Sequence, residues 1–166
     1  MQNMVYLPHL SQARVVRAYR FQSPQTGPHC CVLLTDCASP SPVRYAHVVI
    51  VHRGPTFASP PCFAIASEVN KNASSGSGRS HFLGVFPGQG GLMHENLGGS
   101  DDWAEIEKFE QRALAIIFER FGLAELPTVC DVPEENYRLP RPYVMETDGA
   151  PLAKPSLRKW WEFWKR

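Results

Sequence analysis

The feature that most restricts the fold of this chain is an unbroken run of β-branched apolar residues at positions 48–51. The run, Val-Val-Ile-Val, lies within the segment 44–52, RYAHVVIVH. β-Branched residues favour extended backbone, and a run without polar alternation is typical of a strand covered on both faces. We therefore predict that this strand lies at the centre of a sheet.

Further strands are predicted where short apolar segments are bounded by clusters of proline, glycine and serine. The segments are 13–21, 29–36, 62–69 and 81–86. The first of them also fits a short helix, and we prefer the strand. The last two are joined by a stretch rich in glycine and serine, and they predict an antiparallel hairpin with a long connection.

A long amphipathic helix is predicted at about 101–121. Ser100 is a suitable N-cap, Asp102 and Glu105 have capping-box spacing, and Gly122 is a suitable terminator. Apolar residues recur through the segment at helical spacing. They are Trp103, Ile106, Phe109, Ala113, Ile116, Ile117 and Phe121.

These elements predict an α+β fold in a single domain. We expect an antiparallel or mixed sheet of about five strands with one long helix packed on it, plus a short C-terminal amphipathic helix. A chain of 166 residues is long enough for one substantial core. The predicted organisation is a globular domain at 1–138, a proline-rich linker at 139–155 and a tail helix at 156–166.

The tail carries three of the four tryptophans of the chain. In a helix, one face would hold Leu157, Trp160, Trp161 and Trp164, and the other face would be mostly basic. Such an apolar set has to find an apolar surface. We predict self-association, with the parent domain or a second copy, or binding to a protein partner. A membrane surface is less favoured, because a helix of about three turns would attach weakly.

Charge is distributed unevenly along the chain, although its net charge is only +1. Residues 101–125 contain three basic and seven acidic residues, a balance of −4, whereas residues 154–166 contain five basic and one acidic residue, a balance of +4. The tail can therefore be steered onto the acidic helix. The isoelectric point near 7.7 argues against nucleic-acid binding.

The five cysteines are odd in number and form no C-x-x-C pair, which favours a reducing compartment. The first residues lack the features of a signal peptide, and no apolar stretch approaches the length of a spanning helix. We expect a cytoplasmic protein.

The glycine-rich loop at 87–100 is the predicted ligand site. Its glycines allow backbone amides to approach a ligand, and it leads to a helix N-terminus, where anions are favoured. The ligand-binding candidates are Gly88, Gln89, Gly90 and Gly91.

Candidate catalytic residues follow in the same region: His94, Glu95, Asp101 and Asp102. They could provide an acid/base pair or ligands for a divalent ion. Their spacing matches no defined metal motif, so we expect neither a metal nor a cofactor. The favoured function is a small cytoplasmic binding or assembly domain. The alternative is a small hydrolase or transferase, metal-dependent or not, with its site at 87–102.

Overall fold

A computed structural model describes residues 7–40, 42–71, 79–86, 94–132 and 137–140. Within these ranges the chain forms a seven-stranded antiparallel sheet with one α-helix on one face. The strands are β1 (Gln12–Ser23), β2 (Gly27–Ala38), β3 (Tyr45–Arg53), β4 (Pro61–Val69), β5 (His81–Phe86), β6 (Glu95–Ser100) and β7 (Thr128–Cys130). A 3-10 turn (Asp101–Ala104) precedes the helix α1 (Ile106–Arg120).

The sheet has the strand order β6-β5-β4-β3-β2-β1-β7. The first six strands form an up-and-down meander in which each strand pairs with its neighbour in the chain. After α1, the chain returns to add β7 to the outer edge of β1, where Val129 pairs with Tyr19. The strand β3 is the middle of the seven, so the prediction that the Val-Val-Ile-Val run occupies the centre of the sheet is confirmed.

The first core lies between the sheet and α1. Because side chains alternate between the faces of a strand, every second residue of β2, β3 and β4 points toward the helix. Examples are Leu33, Val49 and Ile65, which pack with Phe109 and Ile117 of α1. The helix therefore covers one face with its apolar stripe, as its periodicity predicts.

The second core lies on the opposite face of the same strands. Val48 and Ile50 are buried there together with small side chains of β4. Residues Leu7 and Leu10, before β1, pack on this face, and so do Tyr137 and Leu139 from the far end of the described chain. Burial on both faces explains why the central residues of β3 are apolar without interruption.

The predicted fold class is wrong in its sheet. The protein is mostly an antiparallel sheet of seven strands with one helix, rather than an α+β domain with a sheet of about five strands. The additional strands are β6 and β7. The predicted tail helix at 156–166 lies outside the described residues. Of the predicted linker, only residues 139 and 140 are described.

The long helix begins later than predicted, because residues 101–104 form a separate 3-10 turn that is bonded to the sheet. His47 donates from Nε2 to the carbonyl of Ala104 at 2.8 Å. The hydroxyl of Ser67 donates to the carbonyl of Trp103. Ser100 caps the 3-10 turn by accepting from the amide of Asp102. None of the described helices is long and apolar enough to span a membrane.

His52 fastens residues 137–140 to the second face of the sheet. Its Nδ1 donates to the carbonyl of Ser59 at 2.8 Å, so the neutral ring accepts at Nε2 from the hydroxyl of Tyr137 at 2.7 Å. Burial lowers the pKa of His52, which means that folding favours the neutral ring. This contribution to stability is complete above about pH 6.5, the ordinary histidine pKa, and is lost as the pH falls below it.

We expect Tyr137→Phe to lower the free energy of unfolding by about 1–3 kcal/mol, because Nε2 of His52 would remain buried without its donor. Urea denaturation at pH 7.5 measures the change. Tyr45→Phe is the control, since the structure records no hydrogen bond from the Tyr45 hydroxyl to a described residue. If both variants are equally stable, the bond between His52 and Tyr137 contributes nothing to stability.

Candidate functional site

Several residues predicted from sequence to bind ligands or partners cannot be placed. Gly88, Gln89, Gly90 and Gly91 lie outside the described residues. The same holds for the tail residues Leu157, Trp160, Trp161 and Trp164. These predictions therefore remain predictions.

His94 forms an ion pair with Glu68, a residue that the sequence did not single out. Its Nε2 lies 2.8 Å from Oε1 of Glu68. This hydrogen bond is the main reason why the pKa of His94 is raised. The pair sits directly over Gly84, where a Cβ atom would lie only 2.5 Å from Nε2 of His94 and 2.8 Å from Oε1 of Glu68. Glycine at this position leaves the space that the pair occupies.

The three predicted acids form other contacts. Glu95 binds Nη2 of Arg120 at 2.8 Å. Asp101 accepts from the amide of Ser80 at 2.8 Å. Asp102 accepts from Nζ of Lys108 at 2.9 Å. Each of the four candidates thus has a different partner, and the structure does not gather them into one acid/base site.

No metal-binding cluster is found in the part of the chain that the structure describes: no three histidine, cysteine, aspartate or glutamate side chains are grouped closely enough to hold an ion.

A pocket of about 330 Å³ lies at the C-terminal end of α1, whereas Asp101 and Asp102 precede its N-terminal end. The β1–β2 turn, the ends of β3 and β4, and the last turn of α1 meet there. Its lining includes His29, Arg53, Cys62, Arg120 and Phe121. The volume is within the range of sites for small molecules.

Two arginines line this pocket from different elements. Arg53 ends β3, and Arg120 ends α1. None of the residues that line the pocket, all of them described, is acidic. Arg120 is partly neutralised from outside the lining by Glu95. The pocket is therefore electropositive, and Arg53 attracts an anion more strongly than Arg120 does.

The other titratable groups in the pocket are neutral. Burial lowers the pKa of His29 more than its hydrogen bond to the carbonyl of Gly27 raises it, and the charge of Arg53 lowers it further. Burial raises the pKa of the Cys62 thiol to about 11, even beside Arg53. A thiol with this pKa is a poor nucleophile at neutral pH. The pocket is thus equipped to bind rather than to carry out nucleophilic chemistry.

Aromatic rings form the apolar wall of the pocket. Phe63 and Phe121 meet edge to face with their centroids 5.5 Å apart. Phe121 also packs against the ring of His29 at 5.0 Å. The hydroxyl of Ser23 donates to the carbonyl of Phe121 at 3.1 Å, which fixes the chain where the helix ends. These contacts hold the wall in place and leave a rigid aromatic surface beside the arginines.

The sequence does not indicate this pocket. Its two arginines are 67 positions apart in the sequence, and His29 and Cys62 come from two other segments. The only local indication in the sequence is that each arginine stands at the end of an apolar segment. Many surface arginines share that position, so the signal alone would not have identified the site.

No protein-family model matches the chain, and neither a curated protein nor a solved structure shows significant similarity to it.

Proposed function

We propose that this protein is a binding domain that takes up a small organic anion in the pocket between α1 and the β1–β2 turn. The observation that carries the proposal is the convergence of Arg53 and Arg120 on one concave site without an acidic residue in its lining. A cationic pocket of this kind attracts a phosphate or carboxylate group.

The recognition of the anion rests on the guanidinium groups. Arginine presents several N–H donors in a planar fork that matches the oxygens of phosphate and carboxylate. His29 is neutral and adds no charge. The ligand is proposed to be organic because Phe63 and Phe121 form an aromatic wall beside the arginines. An apolar portion of the ligand would lie against this wall.

Isothermal titration calorimetry with three probes tests the proposal: inorganic phosphate, phenyl phosphate and benzyl alcohol. We expect phenyl phosphate to bind most tightly, because it offers both the anion and the ring, and inorganic phosphate to bind more weakly. Benzyl alcohol lacks the charge and should give no measurable heat. Equal binding of benzyl alcohol and phenyl phosphate, or no binding of either phosphate, would refute the proposal.

The alternative function is a small hydrolase or transferase, and one observation favours it. The carboxylate of Glu68 binds Nε2 of His94. The imidazole of His94 is half-exposed, so its other nitrogen, Nδ1, remains available for proton transfer. Release of phenol during the titration with phenyl phosphate would support this alternative, provided that His94→Ala abolishes it.

The proposed location is the cytoplasm. All five cysteines are free thiols, and this supports a reducing compartment. Self-association of the tail, with its own domain or with a second copy, or its binding to a protein partner remains part of the proposal.

A further inference from the structure

The outer edge of the sheet at β7 carries an exposed apolar strip. Leu126, Val129 and Val132 are 65%, 61% and 47% exposed. They fall within residues 125–132, which we call the edge strip. The pairing of β7 with β1 covers only Ala18–Arg20 of a much longer strand. Exposed apolar edges promote unwanted strand pairing, and proteins usually cover them.

The edge strip is also acidic. Glu125 and Asp131 are both exposed and lie between or beside the apolar residues. The last thirteen residues of the sequence, 154–166, have the complementary character. They carry three tryptophans, with five basic residues against one acidic residue. The two segments match in apolar content and in charge.

The connection between them is long enough. Residues 141–153 separate the described chain from residues 154–166, and thirteen extended residues span about 45 Å. That length is comparable to the diameter of a domain of this size, roughly 40 Å. A tethered segment is present at an effective concentration in the millimolar range, which favours docking within one molecule over docking between two.

We propose that residues 154–166 dock on the edge strip of their own molecule and cover it. The aromatic side chains of the segment contact Leu126, Val129 and Val132, while its basic side chains lie near Glu125 and Asp131. This contact is independent of the anion pocket, and it protects the open edge of the sheet from pairing with other chains.

Tryptophan emission tests the proposal in a Trp103→Phe background, where the only indoles are Trp160, Trp161 and Trp164. We expect blue-shifted emission that does not change with protein concentration. Adding Val129→Lys should move the emission to the position of water-exposed indole, because it removes apolar contact and repels the basic segment. Leu126→Lys, which lies outside the strand, is the second test and should act in the same way.

The matched control is Leu97→Lys on β6, the opposite edge of the sheet, where Leu97 is 37% exposed. It should leave the emission blue-shifted. Circular dichroism checks that each variant is folded. Water-like emission from the starting protein, or unchanged emission in both edge variants, would overturn the proposal. Emission that turns red on dilution would also overturn it, since the segment would then bind a second copy.

Discussion

Replacing Phe109 with alanine is expected to lower the free energy of unfolding by about 3–5 kcal/mol. Phe109 is completely buried between α1 and the sheet. Its ring lies 5.6 Å from the imidazole of His47, the same residue that bonds the 3-10 turn to β3. Because the sheet and the helix are both rigid, they cannot close together over the space that the ring leaves. The loss is large against a typical domain stability of about 5–15 kcal/mol.

Urea denaturation followed by circular dichroism measures this change. Gln111→Ala is the matched control, because Gln111 is exposed on the same helix and its replacement should change stability by no more than about 0.5 kcal/mol. The folded fraction of the Phe109 variant should bind phenyl phosphate with unchanged affinity, since Phe109 does not line the pocket. A loss below about 1 kcal/mol would contradict the packing of α1 on the sheet.

The sequence predicts the elements of this fold that bury many apolar residues. The segments 13–21, 29–36, 62–69 and 81–86 fall within strands, and 44–52 does so except for its first residue. Burial of a strand requires an apolar pattern that can be read along it. The central place of β3 was also predictable, since only a strand covered on both faces tolerates four consecutive apolar residues.

The edge strands could not be predicted in the same way. The sequence of β6 is ENLGGS, with one large apolar residue, and β7 has only three residues. Edge strands are partly solvated and need no apolar alternation, so the glycines of β6 predict a loop rather than a strand. Both strands exist because the neighbouring strands β5 and β1 offer unpaired backbone groups, which is a property of the assembled sheet rather than of the local sequence.

The candidate sites depend on contacts between distant segments. The sequence predicts His94 as a candidate acid/base residue, yet its partner is Glu68 on β4 rather than the adjacent Glu95. Glu95 points to the other face of the sheet, where it binds Arg120. Neighbours along a strand point to opposite faces, so proximity in sequence was misleading at this position. The register of the sheet determines both pairs, and the register was unknown from the sequence.

Removing the arginines of the pocket should abolish most of the binding of phenyl phosphate. A hydrogen bond to a charged group contributes about 1.5–3 kcal/mol, so we expect Arg53→Gln to weaken the affinity by about 10- to 150-fold. Arg120→Gln should have a smaller effect, because Arg120 already shares its charge with Glu95 at 2.8 Å. Titration calorimetry at 0.15 M salt, where charges beyond about 8 Å are screened, measures both changes.

Arg112→Gln is the matched control, since Arg112 is exposed on α1 and does not line the pocket. Its affinity for phenyl phosphate should equal that of the unchanged protein. Glu95→Gln should change the affinity for phenyl phosphate in the opposite direction. It releases Arg120 from its ion pair, so the affinity should rise. If Arg112→Gln weakens binding as much as Arg53→Gln does, the anion responds to the overall charge rather than to the pocket. If Glu95→Gln weakens it, Glu95 holds Arg120 in place for the ligand instead of competing with it.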